Sequence, residues 1–341
     1  MGSRADLYRK NAENSKYKFG NQNKNKKNRK KSKNNYKTNK NKSRGKVKDK
    51  LDEKIEYLNS LHNLDKLTIR EITKYDGDWS YFIADSFKDR LKIHQLRGIH
   101  QSLKKIEQTI GNTDNMLCNH VQLHYNLFKL DLNLKYERNT IPEKFYKLIV
   151  SLTNIVDNVA EDRKIDNLKK IIVLVDAMVG YHKYLTSTSN KDYNNTFKEI
   201  TLKINSDYLL NVQNNDVHIN DAKKIANTIS RNDSDKTVTI YQLRKIFNVY
   251  KRWENRLNDD WSNIEEEYYK FYPKLAYMTG RKLITGEFFE LIRYCMDVVD
   301  NGDNAEKVIK FKGFIEFYES IISYYTYQNV KCELNRKDKG E

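Results

Sequence analysis

Residues 241–254 read YQLRKIFNVYKRWE. Apolar side chains fall at Ile240, Leu243, Ile246, Phe247, Tyr250, Trp253 and Leu257. That spacing of threes and fours is the stripe of an amphipathic α-helix. Opposite it, at about 100° per residue, lie Arg244, Asn248, Lys251, Arg252 and Asn255. Thr237 and Thr239 stand just ahead, where a hydroxyl caps a helix N-terminus. A second version of this helix lies upstream, HQLRGIHQSLKKIE at residues 94–107. At an offset of 147 residues its stripe, Ile93, Leu96, Ile99, His100, Leu103, Ile106 and Ile110, lands on the first, and only His100 breaks the apolar match. The basic positions repeat as well: Arg97 falls on Arg244, Lys104 on Lys251 and Lys105 on Arg252.

The repetition continues downstream. EKFYKLIVSLTNIVDN matches GEFFELIRYCMDVVDN at an offset of 143 residues, which holds from about Leu130 to Tyr184. Arg138 falls on Arg281, Asp157 on Asp300 and Tyr181 on Tyr324. The change of four residues in offset fits a difference in loop length near 111–126. Charge, apolar stripe and spacing agree together over both blocks, so duplication of a helical unit of about 130 residues is the simplest account. The expected fold is all-α: two tandem small helical bundles behind a disordered basic tail. The expected boundaries are a Lys/Asn-rich tail at 1–50, a first bundle at 51–188, a linker at 189–204, a second bundle at 205–330 and a C-terminal tail at 331–341. The linker is read from the turn-formers of TSTSNKDYNNT, residues 186–196, and QNNDVHIND at 213–221 reads as a loop. KKIIVLVDAMVGYHKYL has a β-branched run, but its length and spacing suit a buried helix.

The formal charge of +17 points to a polyanionic partner, yet its distribution is uneven. Residues 1–50 hold 19 basic and 3 acidic residues, leaving the remainder of the chain at +1. The folded part therefore meets a polyanion through local patches. The tail reads either as a solvated segment or as a loose tether to RNA phosphates. Three widely spaced cysteines, Cys118, Cys295 and Cys332, give no disulfide framework and suit a reducing cytoplasm. A polar N-terminus predicts no signal peptide, and no apolar run predicts a membrane span.

Three stretches in order carry a family resemblance: TVTIYQLRKIFNVYKR, then YPKLAYMTGR, then the aromatic-rich FKGFIEFYESIISYY. Over roughly residues 220–330 the chain resembles the small subunit of type III-A CRISPR–Cas interference complexes. The first copy, roughly 62–188, resembles it through the second. It keeps QLR but has LDLNLKYER in place of PKLAYMTGR, with Asp131 where the second copy has Lys274 and Glu137 where it has Gly280. The resemblance implies a non-catalytic subunit, without cofactor, that stacks head to tail along a ribonucleoprotein. There it would contact the guide RNA–target RNA duplex by its backbone, beside the other subunits of the complex. A stand-alone helical RNA-binding or scaffold protein is the alternative class.

The residues expected to meet phosphate are Arg97, Lys104, Lys105 and Arg138 in the first copy. In the second they are Arg244, Lys245, Lys251, Arg252, Lys274 and Arg281. Guanidinium and ammonium groups bind phosphate by charge-assisted hydrogen bonds and need no base identity. Arg244 and Lys251 stand seven residues apart, about 10 Å along a helix, and can reach separate phosphates. Tyr277, between Lys274 and Arg281, reads as core more readily than as a base-stacking platform. Cys118, His120 and His124 have zinc-like spacing, but a fourth ligand is not evident nearby, so no metal site is expected. No phosphate-binding Gly-rich loop and no Ser–His–acid arrangement stands out, and no enzymatic activity is expected.

Overall fold

The computed structural model describes residues 50–75, 79–111, 119–187, 195–212, 216–230 and 238–337; the side chains beyond Val330 are not described. The expected tail lies outside these residues except for Lys50. No strand occurs among the described residues, and no helix there is long and apolar enough to cross a membrane.

Two series of helices follow one another. The first is α1 (Lys50–Asn59), α2 (Ile69–Thr73), α3 (Trp79–Phe87), α4 (Ile93–Ile110), α5 (Asn119–Glu137), α6 (Glu143–Asn158) and α7 (Glu161–Ser187). The second is α8 (Asn195–Lys203), α9 (Ser206–Leu210), α10 (Asp216–Ser230), α11 (Ile240–Leu257), α12 (Glu265–Tyr269), α13 (Phe271–Gly280), α14 (Gly286–Asp300) and α15 (Asn304–Lys337). Each series closes on its last helix: α2, α3, α4 and α6 pack on α7, as α9, α10, α11 and α14 pack on α15. The first helix of each lies on the sixth position, α1 on α6 and α8 on α14. The continuous α5 corresponds to a 3-10 turn at Trp261–Asn263 followed by α12 and α13.

Local chemistry fixes matching boundaries. The glutamine of each QLR motif reaches back to the backbone N–H at the helix start: Lys92 N donates to Gln95 Oε1 and Thr239 N to Gln242 Oε1, both at 2.8 Å. α5 and α13 end alike. Asn139 and Lys282 both adopt the left-handed region, with φ of 53° and 59°. Around them Thr140 N bonds Lys135 O and Leu283 N bonds Met278 O, each at 2.9 Å, closing the helix carbonyls. Phe145 and Phe288 are both fully buried at the start of the next helix.

Three expectations are corrected. Residues 195–203, within the expected linker, form α8, and Phe197 and Ile200 lie in the core. The polar cluster ahead of α8 masked an apolar period that begins only at Phe197; residues 188–194 lie outside the described ones. Most of the expected loop at 213–221 is the start of α10. Its inward face carries small or polar residues, His218, Asp221, Ala222 and Ala226, which weaken an apolar period. The last helix continues to Lys337 past the expected boundary at 330.

The two series share a wide contact. α7 lies along α13, and the core of the second series takes in Ala84, Ala177, Tyr181 and Tyr184 from the first. Two glycines permit this approach. A Cβ at Gly180 would stand 2.3 Å from Pro273 O, and one at Gly280 would stand 2.5 Å from Lys183 O. Tyr184 packs on Phe289 at 5.0 Å between ring centroids. Asp300, buried at the end of α14, accepts from Arg70 Nε and Nη2 at 3.0 and 2.8 Å and from Lys74 Nζ at 2.7 Å, both belonging to the first series. Tyr269 OH donates to its other oxygen. Burial pushes the Asp300 carboxyl up, but Lys74, Tyr269 and Arg70 outweigh it and hold its pKa below the usual carboxylate range.

Candidate nucleic-acid interface

The basic residues expected to contact phosphate divide between the junction and open helix faces. Arg97 points from α4 across the junction. Its Nη2 donates to Tyr277 OH at 2.8 Å, and its guanidinium sits 5.8 Å from the centre of that ring. Arg281, exposed at the end of α13, approaches the same ring at 5.9 Å. Tyr277 is half-buried and joined to both. The structure therefore brings together Arg97 and Arg281 from different repeats around one aromatic ring.

Beside this pair, His100 Nε2 lies 2.9 Å from Asp176 Oδ1, and Lys104 Nζ lies 3.7 Å from Asp176 Oδ2. Lys104 also bonds Glu107 at 2.7 Å. Burial raises the Asp176 pKa, but the His100 hydrogen bond and the charges of Lys104 and Lys274 overcome it, so the carboxyl is held below its ordinary range. Lys274, exposed on α13, thus acts across the junction on an aspartate of α7. The break in the apolar stripe at His100 has its reason here: the residue faces a carboxylate, whereas Phe247 at the same place stacks on Tyr318 at 6.0 Å.

Between α4 and α5 runs an open groove of about 560 Å³, lined by Gly98, Gln101, Ser102, Lys104, Lys105, Gln108, Asp131 and Lys135. Lys105 is exposed there, and Lys135 is paired with Asp131. Gly98 leaves room for the Lys135 stem, whose Cε would stand 3.6 Å from a Cβ at that position. Sequence comparison of the repeats passes over Lys135, since its counterpart is the apolar Met278. Arg138 is exposed just beyond the end of α5.

On α11 the arrangement is more open. Arg244, Lys245 and Arg252 are exposed, and among the described residues none of the three makes an ion pair. Arg252 Nε donates to Asn248 O at 3.3 Å. Lys251 is tied to Glu254 at 2.5 Å, and that hydrogen bond raises its pKa. The equivalent positions Arg97 and Arg244 therefore differ in availability: one is engaged with Tyr277, the other faces solvent.

His120 is exposed on α5 and His124 half-buried, while Cys118 lies outside the described residues. Among the described residues no three potential ligands gather.

The family model described as Csm2 Type III-A matches this chain twice, over residues 77–188 and 216–331. No curated protein and no solved structure matches it.

Proposed function

Because the chain belongs to the Csm2 type III-A family, matched over both of its repeats, we propose that it is a structural, non-catalytic component of a type III-A CRISPR–Cas effector ribonucleoprotein. In this reading the repeats occupy consecutive small-subunit positions, head to tail, in a cytoplasmic particle. They hold the guide RNA–target RNA duplex by its phosphates, so any target sequence is accepted. The observation that carries RNA contact is the exposed trio Arg244, Lys245 and Arg252 on α11, cations that no carboxylate occupies among the described residues. Such groups supply sequence-independent affinity that falls steeply with salt. Arg281 and Lys274 at the junction, with Lys105 and Lys135 along the α4–α5 groove, offer a second phosphate-binding line. Arg97 and Lys104 serve it by positioning Tyr277 and Asp176.

The experiment is RNA binding as a function of salt. Replacing Arg244, Lys245 and Arg252 by alanine is expected to weaken binding of unrelated RNA duplexes alike. Each lost phosphate contact should reduce the slope of log affinity against log salt by about 1. Unchanged affinity and slope would remove α11 from the interface. Affinity purification from cells carrying the neighbouring subunits is expected to recover a particle with a short guide RNA. Recovery of the chain alone with bulk RNA would favour the stand-alone RNA-binding reading.

A further inference from the structure

The chemistry of the groove between α4 and α5 is peculiar to the first repeat. From α4 it takes Gly98, Gln101, Lys104, Lys105 and Gln108, which share one helix face. From α5 it takes Asp131 and Lys135, one turn apart. In the second repeat Lys245 stands in place of Gly98, Val249 of Ser102, Lys274 of Asp131 and Met278 of Lys135. The glycine is thus replaced by a long side chain, and the carboxylate by a cation.

The groove's volume of about 560 Å³ lies within the roughly 300–1,000 Å³ of small-molecule sites. Those sites are mostly apolar, whereas every side chain lining this one is polar or charged. The ligand that fits is polar and charged in turn. Charge within the groove is divided. Lys105 is exposed and makes no ion pair among the described residues, and Lys104 stands next to it. Ammonium groups so placed bind phosphate. Asp131 repels a bare phosphate. Lys135 holds its Oδ1, whereas its Oδ2 lies 3.4 Å from Ser102 Oγ. That is well beyond the roughly 2.5–2.7 Å of a hydroxyl–carboxylate bond. A charged acceptor therefore remains for a neutral donor of the ligand, such as a hydroxyl.

We propose that the groove binds one ribonucleotide. Its phosphate lies at Lys104 and Lys105, and a ribose hydroxyl donates to Asp131 Oδ2. Gln101 and Gln108, whose amides both donate and accept, take the remaining polar groups. A free nucleotide and an unpaired nucleotide of an RNA strand present the same phosphate and ribose, and the test separates them. The site rests on the RNA reading only where the nucleotide belongs to a strand. The α11 cations take no part in it, so the two readings fail separately.

The test is isothermal titration of the full chain, freed of nucleic acid by nuclease and dialysed. The probes are adenosine 5′-monophosphate, its 2′-deoxy form, and a short single-stranded RNA with the matching DNA. The ribose form is expected to bind about tenfold tighter than the deoxy form, the worth of one hydrogen bond to a charged group. Asp131→Ala should erase that preference without weakening the deoxy form. Lys105→Ala should weaken both forms alike, by about tenfold. Gly98→Met puts a side chain into the groove while removing a glycine from a helix interior. It should hold or raise the thermal midpoint and abolish binding; if it does not fold, the exposed Lys105→Ala carries the test. Mononucleotide binding lost in Gly98→Met identifies a free nucleotide as ligand. Binding of the RNA alone, lost in the same variant, identifies a strand nucleotide. Replacing Arg244, Lys245 and Arg252 by alanine should leave mononucleotide affinity unchanged, whatever it does to duplex binding. The proposal is overturned if neither probe binds, if Gly98→Met binds as the wild type does, or if ribose and deoxyribose forms bind equally.

Discussion

Asp157 and Asp300 occupy the same place in the two repeats and live in different surroundings. Asp157 lies on the surface, its side chain 37% exposed and paired with Lys129. Asp300 is 1% exposed and holds Arg70 and Lys74 of the other repeat. Glu137 and Gly280 form a second such pair: an exposed glutamate in the first repeat, and a glycine pressed on the Lys183 backbone in the second. The cores of the repeats stay alike, as Phe145 and Phe288 show, whereas the junction residues diverge. What a residue does here depends less on its place in its own bundle than on whether the other bundle covers it.

That contrast can be broken at the glycine with the largest effect. Gly280→Leu forces a branched side chain into backbone and is expected to cost about 3 kcal/mol or more in urea unfolding. Glu137→Leu, at the same place in the first repeat, should move stability by no more than about 0.5 kcal/mol. Equal costs at both positions would mean that the close crossing of α7 and α13 does not form. Next comes the aspartate. Asp300→Asn removes a buried anion from three cations, Arg70, Lys74 and Lys307, that water still reaches in part, and a loss of roughly 2 to 3 kcal/mol is expected. Asp157→Asn, an exposed pair, should cost under about 1 kcal/mol.

Acid sharpens the same comparison more gently. The folded pKa of Asp300 lies below its ordinary value, so its contribution is present above the unfolded carboxylate range and is lost as pH falls through it toward the folded pKa. Asp297, 3.7 Å from Lys74, opposes this: burial raises its pKa. The net expectation is a fall in thermal midpoint between about pH 5 and pH 3 that Asp300→Asn reduces and Asp157→Asn leaves in place. The smallest effect concerns Arg97 and Arg244. Arg244→Ala alone should weaken RNA binding by about 1 kcal/mol and lower the salt slope by about 1. Arg97→Ala should instead act mainly on stability, through Tyr277, and leave the slope nearly unchanged.

Much of this architecture is legible from periodicity. The stripe from Ile240 to Leu257 and its echo from Ile93 to Ile110 locate α11 and α4, and the shared QLR glutamine turns out to be a helix-start device. The beginning of each repeat is not legible. α1 and α8 each bury only a few apolar residues, Leu51, Ile55 and Leu58 in one and Phe197 and Ile200 in the other, with no common motif to align. The junction is hidden for another reason. Its decisive residues are those where the repeats disagree, and disagreement carries no signal in a self-comparison. Glu137 opposite Gly280 is only a mismatch in the sequence; the structure gives the glycine a steric reason. In the candidate interface the exposed α11 cations are visible in the sequence. The engagement of Arg97 with Tyr277 is not, because it joins residues 180 positions apart.

The Asp300 cluster also has a history written into it. A second repeat released from the first would keep its sunken carboxylate with Lys307 beside it, but leave Arg70 and Lys74 on another molecule. The first would keep Gly180 and Tyr184 facing water. Once those residues had settled, neither half could return to life as a separate gene product without first undoing several substitutions together. Fusion of this kind works as a ratchet: each adjustment that tightened the seam removed a route back, and the pair became a single heritable unit.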